Sequence, residues 1–281
     1  PARYPRALSA EEGLQASMGA MLKAVWKYRG FVLGLVRREL ESRYTRSLLG
    51  SIWLVLQPLV TIFIYTVVFS QVMRARLPGV QDSWAYGIYL CAGVLPWGYF
   101  SEIITRSQTM FLERADLLKK VLFPRSLLPV SLLLSATVNT AILLVIFLMF
   151  LALAGRWPGV VLVGVPVLLV LQAAFALGLG VLLGTINIFF RDIGQFVGII
   201  IQFWFWFTPI VYPLSIVPQW LQTHMAWNPM FPLISNYQAI FVQYAWPAWG
   251  SLAWVAVLSV SLLVLGWQVF RRLSGEMVDE L

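Results

Sequence analysis

Between Asp192 and Arg271 the chain carries no formally charged side chain, a run of 78 residues. A soluble fold could not place so long a stretch without leaving apolar surface in water. The shortage of polar groups extends over all 281 residues, of which 60% are hydrophobic and only 11% charged. Soluble domains carry about 25% charged residues, so part of the solvent around this chain must be lipid. In hydrocarbon every backbone polar group needs an internal partner, and helices supply one residue by residue. The sequence therefore predicts an all-α integral membrane protein that crosses the bilayer several times.

A span needs about 20 predominantly apolar residues. Six stretches qualify, at about 52–73, 85–105, 127–154, 159–187, 194–212 and 250–270, within a transmembrane domain over 51–270. The charge-free run cannot be one helix, because Pro209, Pro213, Pro218, Pro229, Pro232 and Pro247 divide it. Its middle, about 214–246, has Pro, Asn, Gln and Trp too closely spaced for a plain span. Short re-entrant or interfacial helices before the last span fit it better, since irregular backbone at membrane depth survives only against protein or water. With six spans both termini share a side. Seventeen of the 20 Lys and Arg then fall on that side, against Arg74, Arg76 and Arg156 on the other. The positive-inside rule places both termini in the cytoplasm. A seventh span would move Arg271 and Arg272 outside.

Residues 1–20 read as a tail and 271–281 as a cytoplasmic C-terminal tail. Residues 1–50 hold too many charges for a cleavable signal, so the first span is expected to direct insertion. Over 21–50, apolar Leu22, Val25, Trp26, Phe31, Leu33, Leu35 and Val36 mix with Lys23, Lys27, Arg29, Arg37, Arg38 and Arg43. This predicts an amphipathic interface helix in the cytoplasmic headgroup layer; the plainer reading is a positive-inside flank.

The excess of 20 Lys and Arg over 12 Asp and Glu flanks apolar runs, which points to headgroups and not to nucleic acid. The single cysteine, Cys91, allows no internal disulfide, and the single histidine, His224, has no nearby second metal ligand. No Walker A loop, paired carboxylates or Ser/His/Asp set occurs, so no catalytic or metal site is expected. Ion-coupled transporters carry ionisable groups at mid-membrane. Here Glu102 and Arg106 stand at a membrane boundary, and any transport energy is expected from another polypeptide.

Two cytoplasmic segments suit such a partner. In the helix about 113–125, Leu117, Leu118, Val121 and Leu122 follow helical spacing, Lys119 and Lys120 flank them, and Phe123 precedes the helix-ending Pro124. Exposed leucines of this kind fill a groove on a partner or rest on lipid. The second segment is the Arg191-Asp192 pair in an otherwise uncharged turn. A third feature is aromatic: Phe203, Trp204, Phe205, Trp206 and Phe207 in succession, then Tyr212. An interfacial aromatic belt accounts for some of them. Five consecutive aromatics point all around a helix, however, so others face inward, where their rings could stack on neutral sugars.

Five further groupings occur in order along the chain. They are Arg43-Tyr44 with Ser47-Leu48-Leu49-Gly50, Trp53 and Gln57-Pro58; Leu118-Lys119-Lys120-Val121 with Phe123-Pro124-Arg125; Asn187 with Phe189-Phe190-Arg191-Asp192; Phe207-Thr208-Pro209-Ile210-Val211-Tyr212; and Asn228-Pro229. Together they resemble the transmembrane subunit of the ABC-2 type polysaccharide exporters, most closely the O-antigen branch. The resemblance implies a homodimeric channel in the bacterial inner membrane above two nucleotide-binding ATPase subunits that hold ATP and Mg, with no cofactor or enzymatic activity on this chain. It assigns ATPase coupling to the 113–125 helix and a periplasmic gate to 214–246. The implied cargo is a lipid-linked polysaccharide, O-antigen first, a capsule or teichoic acid chain as the alternative. An ABC-2 drug or lipid exporter ranks below these. A membrane-embedded sugar transferase ranks lower again, because the external loops offer only Asp82 as an acidic group.

Overall fold

The computed structural model describes residues 26–44, 84–115, 125 and 127–277, together with a few single positions between 52 and 68. Apart from those positions, the expected span 52–73 lies outside the described residues, as do the coupling residues Leu117, Leu118, Lys119, Lys120, Val121, Leu122 and Phe123 and the side chain of Arg43. Among those described, eight α-helices follow one another: α1 Arg29–Tyr44, α2 Ala85–Glu113, α3 Leu127–Leu153, α4 Gly164–Phe189, α5 Asp192–Trp206, α6 Gln219–Met225, α7 Met230–Gln238 and α8 Trp249–Leu273. Among the described residues, four helical stretches are long and apolar enough to cross a membrane: α2, α3, Gly159–Phe189 and α8. In Gly159–Phe189 a 3₁₀ turn, Gly159–Val163, leads into α4.

Local chemistry sets the helix limits. The end of α3 closes on Gly155 at φ +68°, with Arg156 N–H donating to Leu151 O at 2.8 Å and Gly155 N–H to Ala152 O at 3.1 Å. This left-handed stop suits glycine, which has no Cβ to clash. Pro129 and Pro166 fall in the first turns of their helices, where the missing N–H costs little. Pro96 lies inside α2; there the Gln172 side-chain amide donates to its carbonyl at 2.5 Å.

Helix α5 departs from the expected span. Its 15 residues reach about 22 Å at 1.5 Å per residue, short of the roughly 30 Å hydrocarbon core. The apolar pattern continues to Tyr212, but Pro209 lacks an amide hydrogen and disfavours helical backbone in the residue before it. Residues 207–212 therefore form an irregular turn. Within 214–246 two short helices appear, α6 and α7, followed by a π-helical turn, Ala239–Gln243.

The bundle is organised around α4, which lies between α2 and α8. Lipid tails are as apolar as leucine, so close backbone approach and hydrogen bonds, more than burial from water, hold such helices together. Glycines permit that approach. A Cβ on Gly184 would sit 2.2 Å from the Ser107 carbonyl oxygen, and one on Gly266 would sit 2.6 Å from the Gly178 carbonyl oxygen. Phe100 stacks on Phe175 at 5.6 Å and Phe111 on Phe270 at 5.4 Å. The C-terminal ends of α2, α4 and α8 thus gather at one end of the bundle. Outward positions such as Met149, Val170, Val257 and Val260 are exposed apolar residues, as a lipid-facing surface requires.

Helix α1 packs on α3. Val32 and Val36 are buried, whereas Trp26, Phe31 and Leu33 are exposed beside Arg37 and Arg38. Its apolar and basic residues do not divide into two clean faces.

Candidate functional site

The run of aromatics at the end of α5 is split by helix geometry. Val197 and Ile201 are buried. Trp204 and Phe205 continue their stripe at one-turn spacing and turn into the bundle. The Trp204 indole meets Phe100 edge-on at 5.1 Å and Phe175 at 6.3 Å, and its N–H donates to Asn228 Oδ1 at 2.7 Å. Phe205 lies 5.6 Å from Trp97. On the opposite side Phe203 is 73% exposed and Trp206 59% exposed, with Phe207 beside them at 39%. Of the residues considered for sugar contact, Trp204 is a packing and hydrogen-bonding group, while Phe203, Trp206 and Phe207 present rings outward.

The turn after α5 is held by side chains. Its carbonyls cannot pair within a helix, and leaving them unpaired in a low-dielectric interior would be costly. Asn228 Nδ2 donates to Phe207 O at 3.2 Å and to Thr208 Oγ1 at 2.8 Å. The same amide's oxygen accepts from Met230 N–H at 3.0 Å, which gives the first amide of α7 a partner. Tyr86 donates its hydroxyl to Val211 O at 2.7 Å. The Tyr89 hydroxyl reaches Pro209 O at 3.0 Å and Tyr212 O at 2.9 Å. Gln238 Nε2 also donates to Pro209 O, at 3.3 Å. Gly93 makes room for this arrangement: a Cβ there would meet Ile210 Cγ2 and Gln238 Nε2 at 3.0 Å. Neutral amides and phenols from α2, α7 and the α6–α7 link thus fix the irregular segment, including Tyr212.

Asn236 performs a similar service one step on. Its Oδ1 accepts from Ala248 N–H at 2.6 Å and its Nδ2 donates to Pro232 O at 2.6 Å, tying α7 to the start of α8. The carbonyl-bracketing residues Tyr86, Tyr89, Asn228, Asn236 and Gln238 were not singled out by sequence reasoning as site residues. Their signal is faint: polar tips on an apolar helix, and amides close to prolines.

At the other end of the bundle Asn187 closes the turn between α4 and α5. Its Nδ2 donates to Gln108 O at 3.0 Å and its Oδ1 accepts from Gly194 N–H at 2.9 Å. Arg191 and Asp192 are exposed on that turn, and Asp192 opens α5, where the helix dipole favours a carboxylate. Arg125, the last residue of the expected coupling segment, donates to the Ser274 carbonyl just past α8. Burial pushes the Arg125 guanidinium below its usual range. Arg106, Arg125, Arg191, Arg271 and Arg272 all belong to this end of the bundle, and Arg37 and Arg38 are exposed on α1.

The sequence model of the ABC-2 type transporter family matches residues 32–242. An O-antigen export system permease protein from Myxococcus xanthus is 33% identical over 263 residues, covering 93% of this chain and 99% of that protein. A permease protein of the same description from Klebsiella pneumoniae is 29% identical over 246 residues, covering 85% and 90%. A polysialic acid transport protein from Escherichia coli is 22% identical over 263 residues, covering 88% and 95%.

Proposed function

The chain belongs to the ABC-2 type transporter family, and we propose that it forms the membrane path of an ATP-driven exporter of lipid-linked polysaccharide, with O-antigen as the cargo. The observation that carries this reading is near full-length similarity to O-antigen export permeases, at 33% and 29% identity. The weaker similarity to the polysialic acid transport protein, at 22%, makes a capsule polysaccharide the second reading.

In this reading two copies of the chain pair in the bacterial inner membrane. Each contributes six spans, 52–73 being the first and α5 with its turn the fifth, and keeps both termini in the cytoplasm. Two separate ATPase subunits bind ATP and hydrolyse it. They press on residues 113–125 and on the Arg191-Asp192 turn, at the end of the bundle where the basic residues gather. The short helices α6 and α7 form a gate on the periplasmic side. The chemistry asked of this chain is passage and not reaction. A long neutral glycan needs contacts that hold each sugar weakly and repeatedly, and the faces of aromatic rings supply these without charge. Phe203, Trp206 and Phe207 stand outward on an element without a fixed charge after Asp192. The Asn228–Tyr86–Tyr89 bracket keeps that row of rings in place.

Deletion of the gene in its native host tests the proposal. Surface polysaccharide should disappear while lipid-linked glycan accumulates on the cytoplasmic side, and the wild-type chain should restore export. Unchanged surface glycan in the deletion strain would overturn it.

A further inference from the structure

Helix α1 meets the bundle at a charged contact that none of the roles above uses. Val32, Val36 and Glu39 follow at four- and three-residue intervals and so share a face. The two valines are buried, and Glu39 carries the contact on to α2. Arg106 on α2 forms an ion pair with Glu39 through Nη2, while its Nη1 donates to Glu102 Oε1 at 3.0 Å. The second Glu102 oxygen accepts from Asn139 Nδ2 at 2.9 Å, and Glu39 Oε1 accepts from Ser135 Oγ at 2.9 Å. Just above, the Tyr99 and Thr137 hydroxyls bond at 2.7 Å. One guanidinium therefore gathers a carboxylate from α1 and one from its own helix, and α3 fixes both. The side chains of Arg106, Glu39 and Glu102 are only 17–24% exposed.

The fork of an arginine can serve two carboxylates at once, which a lysine ammonium does less rigidly. Partly buried ions are a poor choice for stability alone, because their desolvation offsets much of their attraction. Apolar residues would pack α1 on α3 equally well. Charge adds directionality and a contact that closes at one geometry. The position of Arg106 matters too: seven residues further on α2 ends at Glu113, where the expected coupling segment begins. Helix α2 is unbroken from Arg106 to Glu113, so a push delivered at Glu113 would reach Arg106.

We propose that Arg106 is a positioning residue, a two-armed latch that makes α1 move with α2, so that work done on the coupling segment reaches the transport path only while Glu39, Arg106 and Glu102 are joined. The inference rests on the reading of the chain as the membrane subunit of an ATP-driven exporter.

The test uses the full-length chain with its ATPase in lipid vesicles, supplied with lipid-linked glycan extracted from the host. ATP turnover, glycan moved per ATP, melting temperature and amide exchange over residues 29–44 are measured for Glu39→Gln, Arg106→Gln and Arg106→Lys. A further variant reverses the node: Glu39→Arg with Arg106→Glu, and Glu102→Gln to remove the new like-charge contact. The two glutamine variants should assemble and hydrolyse ATP. Their glycan per ATP should fall by at least about five-fold, the low end of coupling between linked sites, with faster exchange in α1. Arg106→Lys should recover part of the coupling and the reversed node more of it. Unchanged glycan per ATP in both glutamine variants would overturn the latch. So would a loss of export that merely tracks the loss of assembled complex. If wild-type vesicles move no glycan, the exporter reading fails at that control, and the latch falls with it.

Discussion

The two polar centres of this bundle are built from different chemistry. Around the turn at 207–212 the side-chain partners seen among the described residues are neutral amides, phenols, a hydroxyl and an indole: Asn228, Gln238, Tyr86, Tyr89, Thr208 and Trp204. Around Arg106 the core partners are ions, with Asn139 and Ser135 as neutral supports. Neutral groups satisfy an irregular backbone in a low-dielectric interior without the desolvation cost of a charge. Ions suit a helix end near the membrane boundary, where water moderates that cost. The neutral centre thus pins an irregular segment of backbone, and the ionic centre ties α1 to α2 and α3.

Breaking the neutral centre should do the most damage to stability. Trp204→Ala removes an indole packed against Phe100 and Phe175 together with its bond to Asn228. The expected loss is about 3 kcal/mol, the low end for a large aromatic because the ring is not fully buried. Thermal melting of the purified protein checks it. Asn228→Leu should follow at about 2–3 kcal/mol, as four hydrogen bonds are lost and several backbone and side-chain groups are left unpaired. Hydrogen exchange over 207–212 should rise in both variants and stay unchanged over α1.

The ionic centre should respond differently. Raising salt from about 0.05 M to about 1 M shortens the screening length from more than 10 Å to about 3 Å. Exchange in α1 should then increase modestly, since partly buried ions are screened less than exposed ones, while the turn at 207–212 keeps its protection. Equal sensitivity of the two regions would remove the distinction between them. The smallest effect on stability belongs to Trp206→Ala and Phe203→Ala. With rings 59% and 73% exposed, each should change stability by no more than about 0.5 kcal/mol. Export should nevertheless fall if these rings contact glycan, and normal export in the double variant would reduce them to an interfacial belt.

How much of this was legible in the sequence depends on the kind of signal. Helices α3, α4 and α8 were visible because a long run with little or no charge has few other solutions in lipid, and α2 because its apolar run meets no charge before Glu102. The break at 214–246 was visible because Pro, Asn and Gln interrupt the run. The early end of α5 was hidden, since residues 207–212 are nearly as apolar as the helix before them and only Pro209 marks the change. Trp204 and Trp206 could not be separated from composition: consecutive aromatics cover every direction, and the neighbours on α2 and α4 decide which one turns in. Glu102 and Arg106 stood out as ionisable groups at a boundary. Their partner Glu39 did not, being 67 positions from Arg106 in the chain. Close helix packing at Gly178, Gly184 and Gly266 was likewise open to reading, but glycines in spans are common and only the observed contacts show which are needed.

In the proposed function, this chain carries lipid-linked polysaccharide through the membrane when a partner hydrolyses ATP. The most direct measurement places the chain and its ATPase in sealed vesicles loaded with lipid-linked O-antigen on the ATPase side, and follows the glycan with a glycosidase confined to the opposite side. Cleavage should require ATP and be lost when the ATPase is omitted. ATP hydrolysis with no glycan reaching the far side would contradict it.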